Sequence, residues 1–523
     1  MNFNKTSLGI ELGSTRIKGV LIDESHNVIA EGGFGWENQL VNGIWTYSLD
    51  AVHEGIRACY KALADDVQAK FGQPLTTVGS IGISGMMHGY LPFDADGNLL
   101  TPFRTWRNTI TGEAAALLSE KFGFNIPQRW SIAHLGQAML NGEDHLPRLA
   151  HFTTIAGYLH TRLTGEKVLG IGEASGMFPV DSDALDYDSR MLDLFDDFIK
   201  EKGYDWTIRG VLPEVKCAGE WAGVLTEEGA AFLDPTGNLK PGIPFAPPEG
   251  DAGTGMTATN SVKVYTGNVS AGTSDFAMIV VDHMPGVHRE LDMVTTPAGL
   301  PVAMVHCNNC TSDINAWAGL FRDFANRAGV ALTDDQLYSL LFSVALEGDK
   351  DCGGLLSYNY FSGEGVTDVD EGRPVFLRQP DAKITLPNFM RTHLLSALAT
   401  LKIGLDLLTD KENIRIDKLY GHGGFFKTAE AGQRMLSAAV GAPVSVMQTA
   451  NNGGPYGMAL LAAYCLNKKD GQTLEDYLEN EVFADVQSVT LMADNSDIAG
   501  FDRFLERYKT AFPVEKAAIE FLQ

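Results

Sequence analysis

The chain has 523 residues, of which 45% are hydrophobic, and it carries a formal net charge of −26. This length exceeds what one hydrophobic core supports and predicts two domains. The acidity argues against nucleic acid and anionic membranes as partners, because both require a basic protein face. The first residues hold no apolar targeting segment, and no apolar run reaches the roughly 18 residues of a membrane span. Together with six cysteines that lack disulfide-framework spacing, these features predict a cytoplasmic protein.

Two apolar strands joined by a break of small residues begin the chain. Residues 8–23 contain the break at Gly13, Ser14 and Thr15, and the second strand ends at Asp23. Glycine permits close backbone approach, and Ser and Thr supply hydroxyl donors. A turn of this kind presents successive backbone N–H groups to an anion such as phosphate. We therefore predict a phosphate-binding turn between the two strands.

An amphipathic helix and a third strand follow. Residues 49–70 carry apolar side chains at helical spacing, and residues 77–84 form a short apolar run that ends in a loop. The order strand, hairpin, helix, strand is typical of an α/β domain with a mixed sheet. We expect mainly helices and loops over residues 105–240. The Pro- and Gly-rich segment 241–250 is the predicted boundary between domains 1–250 and 251–523.

The predicted boundary leads directly into an acidic residue between glycines. Residues 249–255 read Glu-Gly-Asp-Ala-Gly-Thr-Gly, with Asp251 placed where a strand would give way to a helix. An acid in this position is held firmly and yet can be approached closely by a ligand. The alternative is an ordinary loop aspartate that caps the next helix. A catalytic role for Asp251 is favoured by the turn at Gly13 and by a second, similar turn further along the chain.

The second of these turns lies in the C-terminal half. Residues 269–282 repeat the opening pattern, with a break at Gly272, Thr273 and Ser274 and an aspartate ten residues after the glycine, as in the first copy. One such turn in each half suggests two related domains that close on a polyphosphate from opposite sides. Residues 454–466 predict a helix near the end of the second domain.

Two further segments need separate mention. Residues 419–428 nearly match a P-loop, but Phe426 stands where the pattern requires glycine before Lys427, so the P-loop interpretation fails. Residues 306–310, His-Cys-Asn-Asn-Cys, could form a metal or redox pair. No second Cys/His pair stands at zinc-site spacing, which favours a structural role.

Taken together, the paired turns and the segment around Asp251 resemble the FGGY family of carbohydrate kinases. The resemblance covers almost the whole chain. It implies an α/β fold of two ribonuclease-H-like (actin-like ATPase) domains with an interdomain catalytic cleft. It also implies ATP and Mg²⁺ as cofactors and a small sugar as substrate, and homodimers are common in the family.

The same resemblance assigns residues to roles. Asp251 matches the general base that accepts the proton of the sugar hydroxyl, and Glu11, where the family usually has Asp, would help Asp251 to hold Mg²⁺. The implied nucleotide-binding residues are Gly13, Ser14, Thr15, Lys18, Gly272, Thr273, Ser274, Gly423, Gly424 and Thr428. The implied substrate-binding residues are Met87, His88, Trp106, Asn108 and Asp251.

The sequence leaves more than one sugar substrate open. The Met87-His88 loop resembles that of xylulokinases and indicates a ketopentose, whereas Asn108, Glu173 and Gly365 depart from the pattern of that group. We therefore expect phosphorylation of L-ribulose to L-ribulose 5-phosphate, as in arabinose breakdown, with D-xylulose as the alternative substrate. The alternative from another class is a non-enzymatic actin-like ATPase or sugar sensor. Such a protein would keep both phosphate turns but need no base directed at a sugar.

Overall fold

The computed structural model describes residues 1–447 and 453–522. The chain forms two compact units, each assembled from several stretches of sequence. Unit 1 contains residues 1–262, 292–302 and 452–485, and unit 2 contains residues 263–291, 303–451 and 486–523. The predicted α/β class is confirmed, because each unit combines a mixed sheet with helices. The domain boundary at residue 250 stays a prediction, because each compact unit is assembled from separate stretches of sequence.

Unit 1 is organised around a five-stranded sheet. The strands described in this unit are Ser7–Leu12, Arg16–Ile22, Val28–Gly35, Gln39–Val41, Ile44–Thr46, Ser80–Gly85, Leu91–Phe93, His151–Thr153, Val168–Gly170, Val180–Asp181, Asp186–Tyr187, Glu214–Lys216, Glu249–Gly250 and Asp292–Thr295. Its α-helices are Leu49–Phe71, Gly112–Phe122, Ser131–Asn141, Ile155–Thr164, Ile171–Ser175, Ser189–Glu201, Ile208–Val211, Glu227–Leu233, Asp251–Ala258, Gly453–Asn467 and Leu474–Tyr477.

Three neighbouring strands of this sheet run parallel to one another. Ser80–Gly85 lies in the middle, with Ser7–Leu12 on one side and Glu249–Gly250 on the other. The hairpin partner Arg16–Ile22 and then Val28–Gly35 extend the sheet in antiparallel fashion. Because parallel strands end at the same edge, the segments that follow these three strands lie along one edge of the sheet.

Two long helices cover the two faces of this sheet. A side chain at Gly19 would press on the helix Leu49–Phe71, and Gly19 is paired with Ile10 across the hairpin. A side chain at Gly9 would instead overlap the backbone of the helix Gly453–Asn467. Since adjacent residues of a strand face opposite sides, the two helices pack on opposite faces.

The helix Leu49–Phe71 confirms the predicted amphipathic helix. Its start is fixed by Ser48, whose side chain accepts a hydrogen bond from the Ala51 N–H, and its end by Gly72 in the left-handed region at φ 69°. Its buried side is formed by the predicted residues Val52, Ile56, Cys59, Leu63 and Val67. Propensity, caps and burial agree, which explains why its bounds were predictable.

Unit 2 repeats the hairpin arrangement. Its strands are Thr266–Ala271, Asp275–Val280, Pro301–Cys307, Leu355–Tyr358, Val375–Arg378, Lys418–His422, Val444–Met447 and Ser488–Leu491. Its α-helices are Ser312–Arg327, Asp334–Ala345, Leu386–Asp406, Ala431–Val440, Asn495–Ala511 and Pro513–Phe521. None of the helices in the described part of the chain has the length and apolarity that crossing a membrane requires.

The hairpin of unit 2 consists of Thr266–Ala271 paired with Asp275–Val280 in antiparallel register. Lys418–His422 adds to the first of these strands in parallel, with Ser270 beside His422. The segments after Ala271 and after His422 therefore lie side by side at one edge of the sheet. Both contain residues for which the family resemblance predicts nucleotide binding.

Candidate active site

The parallel strands of unit 1 bring three predicted site segments to one edge of the sheet. The turn at Gly13 follows the strand Ser7–Leu12, and the Met87-His88 loop follows Ser80–Gly85. Asp251 follows Glu249–Gly250. Residues that are far apart in sequence are thus collected by strand order alone, at the edge where α/β proteins usually bind ligands.

Asp251 is the first residue of the helix Asp251–Ala258, as the sequence predicts for a strand-to-helix junction. Its side chain is exposed, and its Oδ1 accepts a hydrogen bond of 3.3 Å from the Met87 N–H. A side chain at Gly250 would come within 2.2 Å of the Met87 Cγ, so only glycine permits this packing. Although Asp251 is open to solvent, the protein packed around its carboxylate reduces the hydration of that group and raises its pKa, and the hydrogen bond from the Met87 N–H acts in the opposite direction. A carboxylate of raised pKa is a stronger base for a hydroxyl proton.

Glu11 lies close to Asp251 and faces Lys18 across the hairpin. Its Oε1 lies 2.2 Å from where a side chain at Gly454 would begin, in the first turn of the helix Gly453–Asn467. Burial, and then the charge of Asp251, raises the pKa of Glu11 to about 7, while Lys18 acts in the opposite direction. Two carboxylates that repel each other in a poorly hydrated site are suited to share a cation.

His88 is buried and has both ring nitrogens engaged. Its Nδ1 is 2.9 Å from the Gly176 carbonyl, to which it must donate, and its Nε2 accepts from the Arg129 Nε–H at 3.2 Å. Arg129 in turn forms an ion pair with Asp292. Burial, followed by the Arg129 charge, lowers the pKa of His88 to about 3, which keeps the ring neutral. His88 also adopts a left-handed backbone conformation at φ 68°, a strained state for a non-glycine residue.

The other predicted substrate residues are placed differently. Met87 is buried beside Asp251, and Trp106 is exposed on its loop. Asn108 is buried, and its amide binds the backbone N–H and carbonyl of Trp45, each at 2.8 Å. As sugar contacts, these residues stay predictions, and the amide of Asn108 already serves the hairpin that contains Trp45.

Two buried acids lie behind Asp251 and were not predicted. Glu249 accepts hydrogen bonds from the backbone N–H groups of Gly172 and Glu173, yet burial raises the pKa of Glu249 to about 8. The carboxyl of Glu173 lies against Gly250, and burial raises its pKa well above the ordinary value. Raised pKa values of Glu249 and Glu173 limit the negative charge that collects around Asp251.

The second turn, in unit 2, is held by the loop before the helix Ser312–Arg327. The Gly272 carbonyl accepts from the Thr311 N–H at 3.0 Å and from its hydroxyl at 2.7 Å. The Thr273 carbonyl accepts from the Cys310 N–H at 3.0 Å. Thr273 itself is exposed, as is Thr15 in the first turn.

A cavity of about 650 Å³ adjoins this turn in unit 2. Gly423, at φ 98°, follows the strand beside Ala271, and a side chain at Gly423 would come within 2.5 Å of the Ala271 carbonyl oxygen. Gly424 begins a short 3₁₀ helix, and Thr428 follows that helix. The cavity is lined by Gly421, His422, Gly423, Phe426, Lys427, Ala429, Glu430, Gln433, Val446, Met447 and Val489.

Several site residues escaped prediction because their roles depend on contacts between distant segments. Arg129 and Asp292 are 163 residues apart, and neither belongs to a local motif. In the sequence, Glu430 is one of many acidic residues. In the structure, it lines the cavity and has a left-handed φ of 65°. For Glu249, the unusual acid directly before Gly250 was the available signal.

The described residues contain no group of three or more His, Cys, Asp or Glu side chains arranged to hold a metal ion. The six cysteines are free, and Cys307 and Cys310 are buried. Burial raises the pKa of both thiols well above the usual value, so they stay in the unreactive protonated form.

Comparison with known proteins identifies the family. The N-terminal domain of the FGGY family of carbohydrate kinases matches residues 6–256, and the C-terminal domain of the same family matches residues 267–466. The chain therefore belongs to the FGGY family of carbohydrate kinases.

Individual relatives are distant. A glycerol kinase from Thermococcus kodakarensis is 25% identical over 306 residues, 54% of each chain. A xylulose kinase from Lactococcus lactis subsp. lactis is 20% identical over 525 residues, 97% of this chain and 96% of its own. The chain thus spans about half the length of the glycerol kinases that it matches.

The similarity of fold to solved structures extends over almost the whole chain. The crystal structure of xylulose kinase from Rhodospirillum rubrum superimposes with a TM-score of 0.78 at 18% identity, covering 97% of this chain and 98% of that one. The predicted two-domain actin-like fold is confirmed by this similarity.

Proposed function

We propose that the protein transfers the terminal phosphoryl group of ATP to a hydroxyl of a ketopentose. The observation that carries the proposal is the position of Asp251. This carboxylate has a raised pKa and a backbone hydrogen bond that orients it. It lies at the sheet edge that also presents the Gly13 turn and the Met87-His88 loop.

Asp251 would act as the general base. Phosphoryl transfer needs an aligned nucleophile, an acceptor for its proton and neutralised phosphate oxygens. In this proposal Asp251 accepts the proton of the sugar hydroxyl, and the Met87 N–H keeps the carboxylate in position. A base held in this way contributes about 10²–10⁴-fold to the rate.

Each unit carries its own proposed nucleotide-binding groups. The backbone N–H groups and hydroxyls at Ser14, Thr15, Thr273 and Ser274 would bind phosphate oxygens, with Lys18 close to the first turn. The cavity beside Gly423 is the proposed adenosine site, with Gly424 and Thr428 on the segment that forms it. Its position next to the Gly272 turn supports this assignment, because base and phosphates of one nucleotide need adjoining sites.

Glu11 and Asp251 fit a hydrated Mg²⁺ ion. They offer the hard oxygen ligands that Mg²⁺ requires. Burial, and then the charge of Asp251, raises the pKa of Glu11, and a bound cation would relieve the repulsion between the two carboxylates. Bound Mg²⁺ would neutralise phosphate oxygens during transfer. Glu11 is one methylene longer than the usual Asp, and a metal-bound water can absorb the difference in reach.

L-ribulose is the first substrate to test, giving L-ribulose 5-phosphate. The departures at Glu173 and Gly365 support a sugar other than D-xylulose. The D-xylulose alternative is favoured by a different observation, the near full-length match to a xylulose kinase. We further propose a cytoplasmic location and, following the family, a homodimer.

The experiment is an ADP-release assay with purified protein, ATP and Mg²⁺ against a panel of ketoses, polyols and aldonates. The proposal predicts release of ADP that depends on L-ribulose and a matching amount of the 5-phosphate. Stimulation by D-xylulose instead would keep the kinase and change the substrate. ATP hydrolysis that no sugar stimulates would favour the non-enzymatic ATPase or sensor and overturn the proposal.

A further inference from the structure

Three successive carbonyl groups of the first phosphate turn are bound from one side. The Gly13 carbonyl accepts from the Trp36 indole N–H at 2.7 Å, and the Ser14 carbonyl accepts from the Tyr47 hydroxyl at 2.5 Å. The Thr15 carbonyl accepts from the Trp36 backbone N–H at 3.1 Å. Trp36 and Tyr47 therefore fix the orientation of the turn's peptide groups.

The orientation of these carbonyls determines where the turn's N–H groups point. In a trans peptide the C=O and the following N–H point in opposite directions. The N–H groups of Ser14 and Thr15 consequently point away from the two aromatic rings. Neither has a protein acceptor within residues 1–447 and 453–522. Two adjacent free N–H groups form the concave donor arrangement that binds anions.

The two aromatic residues form a rigid support. Their rings stack with centroids 4.2 Å apart and planes inclined by 26°. Only 8% of Trp36 and 2% of Tyr47 are exposed. Burial raises the pKa of Tyr47 to about 12, so its hydroxyl remains a donor at neutral pH.

A buried amide anchors the segment that carries Tyr47. The Asn108 side chain accepts from the Trp45 N–H and donates to the Trp45 carbonyl, and the Thr105 N–H donates to the same carbonyl at 3.1 Å. Trp45 stands two residues before Tyr47, so these three bonds restrain the backbone from which the Tyr47 ring projects. We call the two stacked aromatic residues Trp36 and Tyr47, together with Asn108, which anchors the segment of Tyr47, the aromatic brace.

We propose that the aromatic brace is a set of positioning residues that holds the Ser14 and Thr15 N–H groups toward the terminal phosphates of ATP. The proposal rests on the proposed function for the identity of the anion. Trp36 and Tyr47 bind the carbonyl groups of the turn, and the Ser14 and Thr15 N–H groups point the other way. Loss of Trp36 and Tyr47 should therefore weaken binding of the terminal phosphates and leave binding of adenosine and its first phosphate unchanged.

The test is Tyr47→Phe, which keeps the ring and its stacking but removes the hydroxyl donor. Calorimetric titration with the non-hydrolysable ATP analogue AMPPNP and with AMP separates the terminal phosphates from the rest of the nucleotide. We expect AMPPNP affinity to fall about three- to tenfold, the range of one net hydrogen bond, with AMP affinity unchanged. The matched control is Tyr464→Phe, which removes a similar 2.6 Å bond from a buried tyrosine to the Gln472 carbonyl in the same unit.

The outcomes distinguish a role of the aromatic brace in nucleotide binding from a general effect on the stability of the protein. Thermal unfolding of both variants measures the stability change. A loss of AMPPNP affinity in Tyr47→Phe that Tyr464→Phe lacks, with equal melting temperatures, supports the brace. Equal AMPPNP affinity in Tyr47→Phe and wild type, or an equal loss for AMP, overturns it. If Tyr47→Phe does not fold, Trp36→Phe takes its place and is judged by the same two criteria.

Failure of the proposed function gives a different result. A wild-type protein that binds AMPPNP but phosphorylates no sugar would overturn the kinase proposal. The brace would still be judged by the affinity ratio of AMPPNP to AMP, because that ratio needs no sugar.

Discussion

The two predicted phosphate-binding turns have the same sequence pattern but are supported in different ways. In unit 1 the carbonyls of Gly13 and Ser14 are bound by side chains that come from 23 and 33 residues further along the chain. In unit 2 the carbonyls of Gly272 and Thr273 are bound mainly by backbone N–H groups of one loop. The comparison shows that the carbonyl groups of both turns are hydrogen-bonded, mainly by side chains in unit 1 and mainly by backbone N–H groups in unit 2.

The residue after each turn differs as well. Arg16 begins its strand on the exposed surface, whereas Asp275 is fully buried beneath the second turn. A side-chain support can be removed by one substitution, but backbone donors cannot. In unit 1, phosphate binding should therefore be sensitive to substitution of the side chains that bind the carbonyls of the turn. In unit 2, stability should be sensitive to the protonation state of the buried Asp275.

Among the substitutions that test the supports of the two turns, the largest effect is expected for the double variant Trp36→Phe with Tyr47→Phe. It removes both side-chain donors and retains two packed rings. AMPPNP affinity should fall about 10- to 100-fold if the two hydrogen bonds contribute independently. Calorimetric titration measures this, and a loss below twofold would show that the turn keeps its orientation without the side chains.

The next effect concerns the stability of unit 2. Burial, and then the charge of Glu364, raises the pKa of Asp275 well above its ordinary value of 3.8. Above pH 3.8 the unfolded chain therefore loses a proton that the folded chain retains, and stability falls as pH rises. Asp275→Asn removes this titration, so the variant should gain stability over wild type by at most about 1.4 kcal/mol for each pH unit.

Urea unfolding at pH 5, 6, 7 and 8 tests this expectation. Asp282→Asn serves as the control, because Asp282 lies just beyond the same strand but is exposed, and hydrogen bonds lower its pKa. Asp282→Asn should lower stability slightly relative to wild type, which is the opposite of the gain expected for Asp275→Asn. A gap between Asp275→Asn and wild type that stays constant with pH would contradict the account.

A smaller effect is expected for Asn108→Asp, which removes the donor to the Trp45 carbonyl. If Asn108 acts in the aromatic brace, AMPPNP affinity should fall about threefold while the KM for the sugar is unchanged. Steady-state kinetics with varied sugar, alongside titration with AMPPNP, distinguishes the two roles. A raised sugar KM with normal nucleotide affinity would restore the predicted sugar contact and remove Asn108 from the brace.

The smallest effect is expected for Thr311→Val in unit 2. This substitution removes the hydroxyl donor to Gly272 but keeps the backbone N–H that binds the same carbonyl. AMPPNP affinity should change by at most about twofold, since the carbonyl stays hydrogen-bonded. A loss as large as that of Tyr47→Phe would show that the two supports are equally dependent on side chains.

Local patterns predicted the parts of the fold that depend on neighbouring residues. Both hairpins, the helix Leu49–Phe71 and the position of Asp251 at a strand-to-helix junction follow from apolar spacing and small-residue breaks. The helix Gly453–Asn467 matches its predicted bounds within one residue at each end.

Contacts between distant segments could not be predicted in the same way. Nothing in the local sequence links Trp36 and Tyr47 to Gly13 and Ser14. The assignment of residues 453–485 to unit 1 arises because the helix Gly453–Asn467 covers the face of the first sheet. The raised pKa of Glu249 depends on burial, which a single sequence does not report.

The most direct test of the central claim is Asp251→Asn, assayed for sugar phosphorylation and for AMPPNP binding. The substitution keeps the size of the side chain and removes its capacity to accept the hydroxyl proton. We expect turnover to fall about 10²–10⁴-fold with nucleotide affinity within about threefold of wild type. Near-normal turnover in this variant would remove Asp251 as the base and contradict the proposed mechanism.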